Sequence, residues 1–380
     1  MTGTGQLDTI SADKLKNGHL ALGEKMILRS LILSLFISLV SLSVQAADIP
    51  PAKDGVYVAK NFQFHTGEKL DEVKLAYKTL GDPKNPAVLV VHGTAGSAQS
   101  LLTPGFGGQL FGKGQPLDAE KYFIILPDTL GVGKSTKPSD GLKAKFPVYN
   151  YDDMVDAQHR LVTEGLGIKH LRLVIGNSMG GMHSWIWGTR YPDMMDAIVP
   201  LASQPTAMAS RNWMMRRLMI ETIKADPEYK GGDYTAQPKM TKLANIFYAT
   251  GTNGGDLGWQ AQAPTRQAAN ALIDKALSGP SPIDTNDFIY QWNSSFDYDP
   301  SPRLGKIKAR VLVINSADDE RNPLSTGLLA QSVKSIKGAK LYIIPASAET
   351  RGHGTTGSLA QLWAPQLQNF MLQLPKPKAN

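Results

Sequence analysis

The sequence contains no cysteine in its 380 residues, and this absence excludes several kinds of site at once. Disulfide-stapled scaffolds, thiolate metal sites, iron–sulfur clusters and cysteine nucleophiles all require cysteine. Charge of one sign is not concentrated either, because 40 basic and 33 acidic residues are interspersed for a net charge of +7. Without a long Lys/Arg block, we expect no nucleic-acid partner. With 42% hydrophobic residues, the chain is a globular protein of one large domain or two small ones.

The first long apolar run has the layout of an export signal. Met26–Arg29 gives a short start with one positive charge, and Leu31–Val44 is almost wholly apolar or serine. Val44 and Ala46 are small residues of the kind that signal peptidase requires just before the bond it cuts, so we expect cleavage between Ala46 and Ala47. The run is shorter than the about 20 apolar residues of a membrane-spanning helix. An uncleaved anchor is the alternative.

Residues 1–46 are therefore interpreted as an N-terminal extension and signal peptide. Since signal peptides seldom carry a long segment ahead of the basic start, we expect translation to begin at Met26, which N-terminal sequencing of the precursor checks. The predicted location is periplasmic or secreted, with no stable membrane insertion after cleavage. Export normally permits disulfides, but none can form here, so stability must come from the core alone.

Eight short segments predict the strands of one sheet. Val56–Phe64 and Val73–Leu80 alternate and are rich in β-branched or aromatic residues, which suits an antiparallel edge. The other six runs are apolar on both faces, as buried parallel strands must be: Ala87–Val91, Phe123–Leu126, Leu171–Ile175, Ala197–Leu201, Val311–Ile314 and Leu341–Ile344.

Helical patterns separate these strands. Asp152–Glu164 starts with acidic residues and has apolar residues at helical spacing, and Leu359–Leu374 is an amphipathic helix near the end of the chain. This alternation predicts an α/β fold with a mostly parallel, doubly wound sheet. One stretch has no clear strand pattern but contains helix-like segments, such as Trp213–Lys224 and Gln267–Leu277. It therefore predicts a helical cap after the sixth core strand. The predicted divisions are the first part of the core, 47–204, the cap, 205–300, and the second part of the core, 301–380.

The strongest chemical motif is a G-x-S-x-G sequence at Gly176–Gly180. It follows a predicted buried strand and precedes a helical pattern, which is the setting of a nucleophile elbow. Ser178 at the tip of the turn would project its hydroxyl above the sheet, at a helix N-terminus that favours developing negative charge. We therefore predict that Ser178 is a nucleophile.

A serine hydroxyl needs a base to take its proton. In proteins with such an elbow the chain order is serine, acid, histidine. Only His183 and His353 follow Ser178 in the chain, and His183 lies on the helix that leaves the elbow. His353, in a glycine-rich loop just past the last predicted strand, is therefore the predicted base.

The acid should follow the predicted strand that ends at residue 314, where three carboxylates stand in a row. One of them must orient the imidazole and stabilise its positive charge. We favour Asp319, because enzymes with this elbow often place the acid four residues before a proline, here Pro323. Asp318 is the alternative.

The oxyanion hole needs two backbone N–H groups. Met179, the residue after the nucleophile, would supply one, and Thr94, in the glycine-rich loop after the strand that ends at residue 91, would supply the other. We expect His92 to brace this loop rather than to take part in the chemistry. The Asp128–Ser135 turn lacks P-loop spacing and is interpreted as structural. This chemistry needs neither a metal nor an organic cofactor.

Taken together, these motifs resemble the α/β-hydrolase fold superfamily, and within it the homoserine O-acetyltransferase-like branch. The likeness spans roughly residues 70–372. The elbow is specific to the superfamily, whereas the DP-x-x-x-G-G-x-Y stretch Asp226–Tyr234 is more specific to the branch. Further matching segments are Phe146–Pro147, Tyr151–Val155 and Asp287–Tyr290.

The resemblance implies a fold and a set of roles. The fold is that of an α/β hydrolase, with Ser178 as the acylated nucleophile and Asp319 and His353 as its partners. Thr94 and Met179 are implied as the oxyanion donors. Family acetyltransferases also carry an Ala-Arg pair in the cap, whose arginine is expected to hold the homoserine carboxylate. The comparable stretch, Lys242–Tyr248, contains no arginine.

Three functions are compatible with these features. Acetyl-CoA and homoserine are cytoplasmic metabolites, so we favour an exported serine hydrolase that cleaves a carboxylic ester or related small acyl compound. The alternative is an O-acyltransferase of the homoserine O-acetyltransferase type, and the third is a catalytically silent binding protein. A small acyl compound is the expected partner, and whether the chain forms a homodimer is left open. Arginines that could bind an acid group are Arg211, Arg216, Arg217 and Arg266.

Overall fold

An eight-stranded sheet forms the centre of the protein in a computed structural model, which describes residues 49–279 and 283–377. The predicted signal peptide, its cleavage between Ala46 and Ala47 and the start at Met26 lie outside the described residues. The strands are β1 (Lys53–Gln63), β2 (Lys69–Leu80), β3 (Ala87–Val91), β4 (Phe123–Pro127), β5 (Leu171–Asn177), β6 (Ala197–Leu201), β7 (Arg310–Ser316) and β8 (Lys340–Ile344).

The strand order is β1-β2-β4-β3-β5-β6-β7-β8. β2 pairs antiparallel with β1 and with β4, and all other neighbours are parallel. The prediction of a mostly parallel sheet with an antiparallel edge is therefore confirmed. Strands β5, β6, β7 and β8 lie side by side in chain order, which brings their carboxyl ends to the same edge of the sheet.

The central strands are buried on both faces because helices cover the sheet from either side. In β3, Leu89 and Val91 belong to one apolar cluster, and Val88 and Val90 belong to a second. All four side chains are fully buried. The same clusters take in the opposite faces of β4 and β5, so two cores sandwich one sheet.

The helices that the structure describes fall into a core set and a cap set. The cap set lies between β6 and β7 and has an apolar cluster of its own, which includes Met219, Ile223 and Trp292. The helices are α1 (Gly107–Leu110), α2 (Tyr151–Arg160), α3 (Met179–Arg190), α4 (Ser210–Lys224), α5 (Lys239–Thr252), α6 (Asp256–Gln262), α7 (Arg266–Leu277), α8 (Thr285–Asn293), α9 (Leu328–Lys334), α10 (Thr355–Ser358) and α11 (Ala364–Leu372).

Helices α4 to α8 confirm the helical cap after the sixth strand. The described residues all belong to one compact unit, so the boundaries at 204/205 and 300/301 stay predictions. Among its helices, none combines the length and apolarity needed to cross a membrane.

Several helix bounds differ from the prediction for local reasons. α2 begins at Tyr151 rather than Asp152, because the Asn150 side chain accepts the backbone N–H of Asp153 and caps the helix. The last helix begins at Ala364, five residues later than predicted, with a proline in its first turn. Helix α8 was not predicted, although Asp284 caps it through two backbone N–H groups and was a readable start signal.

Candidate active site

Ser178 stands at a sharp turn between β5 and α3. Its backbone has φ 56° and ψ −111°, a conformation that is strained for a residue with a side chain. A Cβ at Gly176 would lie 2.3 Å from the backbone of Gly180, and a Cβ at Gly180 would lie 2.1 Å from the carbonyl oxygen of Val91. Both glycines are therefore required for the strand and helix to approach closely enough to hold this turn.

His353 approaches Ser178 from a short 3₁₀ turn, Gly352–Gly354, which follows β8. Its Nε2 lies 2.7 Å from the Ser178 Oγ. Both side chains are buried. Thr356, which follows His353 in the chain, donates its hydroxyl to the Asn177 side chain at 2.5 Å. This hydrogen bond connects the segment after the histidine turn to the elbow.

Asp319 lies on the other side of the imidazole, in the loop after β7. Its Oδ1 is 2.9 Å from the Nδ1 of His353. Because an ionised carboxylate can only accept, Nδ1 carries the proton and Nε2 is free to accept the hydroxyl proton of Ser178. Asn322 donates its backbone N–H and its side-chain amide to Asp319, both at 3.0 Å. The carboxylate is thus held in place by groups that the sequence reasoning did not identify.

The two neighbouring carboxylates have other partners. Asp318 accepts the hydroxyls of Ser316 and Thr350, the latter at 2.6 Å, and so braces the loop that leads to the histidine. Glu320 accepts the backbone N–H of His353 at 2.9 Å and that of Gly255 at 2.7 Å. Asp319 is therefore the carboxylate that contacts the imidazole, and its two neighbours fix the backbone around it.

Burial and charge determine the protonation of the pair. Burial lowers the pKa of His353 below its ordinary value; the Asp319 carboxylate opposes this, and the charges of Arg321 and Arg216 add to it. Burial would raise the pKa of Asp319, but the charge of His353 and the hydrogen bonds from His353 and Asn322 hold it below its usual range. At neutral pH the pair is a carboxylate beside a neutral imidazole, which is the state a general base requires.

The loop predicted to supply an oxyanion donor lies against the elbow. A Cβ at Gly93 would lie 3.6 Å from the Cβ of Ser178, which places the loop containing Thr94 beside the serine. The backbone N–H groups of Thr94 and Met179 donate no hydrogen bond to another described residue. His92 donates through Nδ1 to the Gly93 carbonyl at 2.7 Å and accepts the Thr129 N–H at 3.1 Å, so it holds the loop in place.

Two other sequence features have structural partners. His183 is buried on α3 next to Gln158, at 3.0 Å, and burial lowers its pKa to about 3. It is a neutral core histidine. Asp128 accepts the backbone N–H groups of Ala98 at 2.7 Å and Lys134 at 2.9 Å, which fits the structural interpretation of its turn.

Of the four arginines named from the sequence, Arg216 is fully buried in the cap. Arg211 donates to the carbonyl of Glu320 at 2.9 Å, and Arg217 pairs with Glu221 on the exposed face of α4. A further arginine, Arg321, was missed although it lies only two residues beyond the predicted acid. No group of three or more metal-ligating side chains occurs in residues 49–279 and 283–377.

Comparisons with known proteins place these features in context. Residues 86–349 match the family described as the alpha/beta hydrolase fold. A probable acyltransferase of Methanothermobacter thermautotrophicus is 29% identical over 290 residues, 72% of this chain and 86% of that protein. A homoserine O-acetyltransferase of Haemophilus influenzae is 37% identical over 299 residues, 67% of this chain and 80% of that protein. The matches to two other curated relatives cover only about half of those proteins, 49% and 47%.

A solved structure shows the same fold. An acetylester hydrolase from Corynebacterium glutamicum superposes with a TM-score of 0.72 at 23% identity, covering 84% of this chain and 96% of that one. At this identity the likeness concerns the fold alone.

The acid assignment can be tested by substitution. Asp319→Asn should slow labelling of Ser178 by a fluorophosphonate by about 10³- to 10⁴-fold, because the imidazole loses its orienting carboxylate. Asp318→Asn is the matched neighbour and should slow labelling by less than about tenfold, since Asp318 reaches only hydroxyls of the loop. Equal losses in the two variants would contradict the assignment.

The lowered pKa of His353 predicts the acid limb of activity. Labelling of Ser178 requires the neutral imidazole, so its rate should fall as pH drops through the pKa of His353, with a midpoint below 6.5. Reagent hydrolysis without protein, measured at each pH, is the control. A midpoint above 6.5 would mean that the Asp319 carboxylate has a larger effect than burial on the pKa of His353.

Proposed function

The chain belongs to the α/β-hydrolase fold family, in its homoserine O-acetyltransferase-like branch, and from this premise we propose that it is an exported serine hydrolase. Its substrate is a carboxylic ester or a related small acyl compound, and its intermediate is an acyl-enzyme on Ser178. The observation that carries the proposal is the hydrogen-bonded chain from Ser178 through His353 to Asp319.

The first half of the reaction acylates the serine. Nε2 of His353 takes the proton of the Ser178 hydroxyl as Oγ attacks the carbonyl carbon of the ester. The carbonyl oxygen of the ester becomes an oxyanion, which the N–H groups of Met179 and Thr94 stabilise. The tetrahedral intermediate then collapses, the C–O bond to the alcohol breaks, and His353 gives its proton to the departing alcohol.

The second half returns the enzyme to its starting state. His353 takes a proton from water, whose oxygen attacks the acyl carbon, and the carboxylic acid leaves as Ser178 regains its proton. Asp319 stays ionised and stabilises the imidazolium in both halves. If an alcohol takes the place of water, the same steps transfer the acyl group.

The preference for a hydrolase over a homoserine acetyltransferase is supported by the cap sequence. The stretch Lys242–Tyr248, which is comparable with the Ala-Arg segment of family acetyltransferases, contains Asn245 and no arginine. The second candidate, an O-acyltransferase, is favoured by the likeness to curated acyltransferases.

Export is also part of the proposal. It is supported by the basic start, apolar run and small residues over 26–46. Sequencing of the mature protein should give an N-terminus at Ala47, with the protein in the periplasmic or secreted fraction. Recovery of the intact extension in the cytoplasmic fraction would contradict export.

An assay of mature protein separates hydrolysis from transfer. With 4-nitrophenyl acetate alone, turnover without CoA is expected, and Ser178→Ala should reduce it by more than about 10³-fold. Ser335→Ala, at an exposed serine far along the chain, is the control and should keep the activity.

Acetyl-CoA and homoserine are then added to the same preparation. CoA-dependent formation of O-acetylhomoserine, without comparable ester hydrolysis, would overturn the hydrolase in favour of the transferase. A complete lack of labelling of Ser178 by a fluorophosphonate would favour the binding protein over both enzymes.

A further inference from the structure

Five buried or half-buried side chains meet between the cap helices and the loop that carries Asp319; we call them the arginine cluster: Arg216, Arg321, Tyr151, Tyr248 and Trp292. The Cζ of Arg216 lies 4.9 Å from the Trp292 ring centroid, and that of Arg321 lies 5.5 Å from the same ring. Arg321 also lies 4.7 Å from the Tyr248 ring. Two guanidinium groups therefore share one indole.

The cluster is adjacent to the proposed catalytic residues. The backbone N–H of Arg321 donates to Asp319 at 2.9 Å, and Asn212 of α4 donates to the Arg321 carbonyl at 3.3 Å. Asn212 also accepts from the Nε of Arg216 at 3.0 Å. Both guanidinium charges act on His353. The cluster is therefore bonded to the carboxylate that contacts the imidazole, and its charges reach the imidazole itself.

The cluster is positively charged, and nearby carboxylates offset its charge only in part. In the described part of the chain, neither Arg216 nor Arg321 forms an ion pair with a carboxylate. The neighbouring carboxylates are engaged elsewhere: Asp319 by His353, and Glu320 by two backbone N–H groups. Burial, together with the charge of Arg216, lowers the pKa of Arg321, and Tyr248, Asp319 and Glu320 oppose this shift. Since buried charges in proteins are normally paired directly, two adjacent cations without an ion pair are unusual.

The cluster also contains polar atoms without a partner. Arg216 is fully buried, and its Nη1 donates to Ser295 at 3.0 Å, but its Nη2 has no hydrogen-bond acceptor among the described residues. Tyr151 and Tyr248 interact with this guanidinium through their hydroxyls, but neither hydroxyl, nor the Trp292 Nε1, has a partner at hydrogen-bond geometry among the described residues. Nearly all buried polar groups in native proteins are partnered, so these donors could serve a further acceptor.

We infer that the arginine cluster is a subsite for a carboxylate carried by the substrate, in addition to the ester that reaches Ser178. The inference rests on the proposed hydrolase function and specifies its substrate class as anionic acyl compounds. A carboxylate would partner these donors, because its two oxygens can accept hydrogen bonds from a guanidinium group and from nearby hydroxyl and indole donors. The two arginines come from α4 and from the acid loop, not from the Lys242–Tyr248 stretch.

A purely structural role makes a different prediction. If the rings serve only to hold the arginines by cation–π contact, the cluster ties the cap to the acid loop. Replacing either arginine would then lower stability and reduce activity on every ester in the same proportion. The ratio of activities on anionic and neutral esters separates the two roles.

The test uses three acetyl or succinyl esters and the mature protein. Phenyl acetate is the neutral substrate, monophenyl succinate carries a carboxylate in the acyl half, and 4-acetoxybenzoate carries one in the alcohol half. Arg216→Met and Arg321→Met should each lower the ratio of kcat/KM for at least one anionic ester to that for phenyl acetate by roughly 10- to 100-fold. The anionic ester affected identifies which half of the substrate the cluster binds.

Two further variants act as controls. Arg217→Met removes an exposed arginine of the same helix that pairs with Glu221, and it should leave the ratio within about twofold. Arg216→Lys keeps the charge without the guanidinium fork and should restore part of the ratio. If the ratio stays the same in Arg216→Met and Arg321→Met for both anionic esters, the subsite does not exist.

The wild-type protein provides a measurement that does not depend on folding of the variants. Butyrate should inhibit phenyl acetate hydrolysis competitively with an inhibition constant at least about tenfold lower than that of butyramide, its neutral analogue. Equal inhibition by the two compounds would overturn the inference. In that case phenyl acetate turnover and Ser178 labelling would still support the hydrolase, whereas their absence would reject the proposed function itself.

Discussion

The hydrogen bond between the Nε2 of His353 and the Oγ of Ser178 is the contact on which the proposed chemistry of this protein depends. It joins residues 175 positions apart, so it is set by the sheet rather than by local structure. Because β5, β6, β7 and β8 are parallel neighbours in chain order, the turns that leave β5, β7 and β8 emerge at one edge. That edge brings Ser178, Asp319 and His353 together, and the elbow glycines let the strained serine turn sit against β3.

Core and cap contribute differently to this site. The core supplies the serine, the imidazole, the carboxylate and the two N–H groups proposed as oxyanion donors, all on loops anchored by buried strands. The cap supplies Arg216, whose charge has no anionic partner among the described residues, and it packs its helix α4 onto the loop that carries Arg321. The proposed chemistry and the inferred selection of substrate thus lie on separate elements that meet at the loop after β7.

The sequence contains enough information for most of the fold but for only part of the site. Buried parallel strands were readable because they are apolar on both faces, and the serine and histidine followed from the elbow and from chain order. The choice of Asp319 over Asp318 rested on its separation from Pro323 in the sequence, because a sequence does not distinguish two adjacent carboxylates. In the structure, Asp318 accepts the hydroxyls of Ser316 and Thr350 instead of contacting the imidazole. The cluster of Arg216, Arg321 and Trp292 was not predictable, because its members come from three segments that meet only in the folded chain.

The central claim, that Ser178 is acylated with His353 as its base, is tested most directly by rapid-quench mass spectrometry. Wild-type protein mixed with 4-nitrophenyl acetate and quenched within the first turnover should carry one acetyl group, on the peptide that contains Ser178. His353→Ala should form this species far more slowly. Ester turnover with no acetyl group on Ser178, or with the acetyl group on a different residue, would contradict the claim.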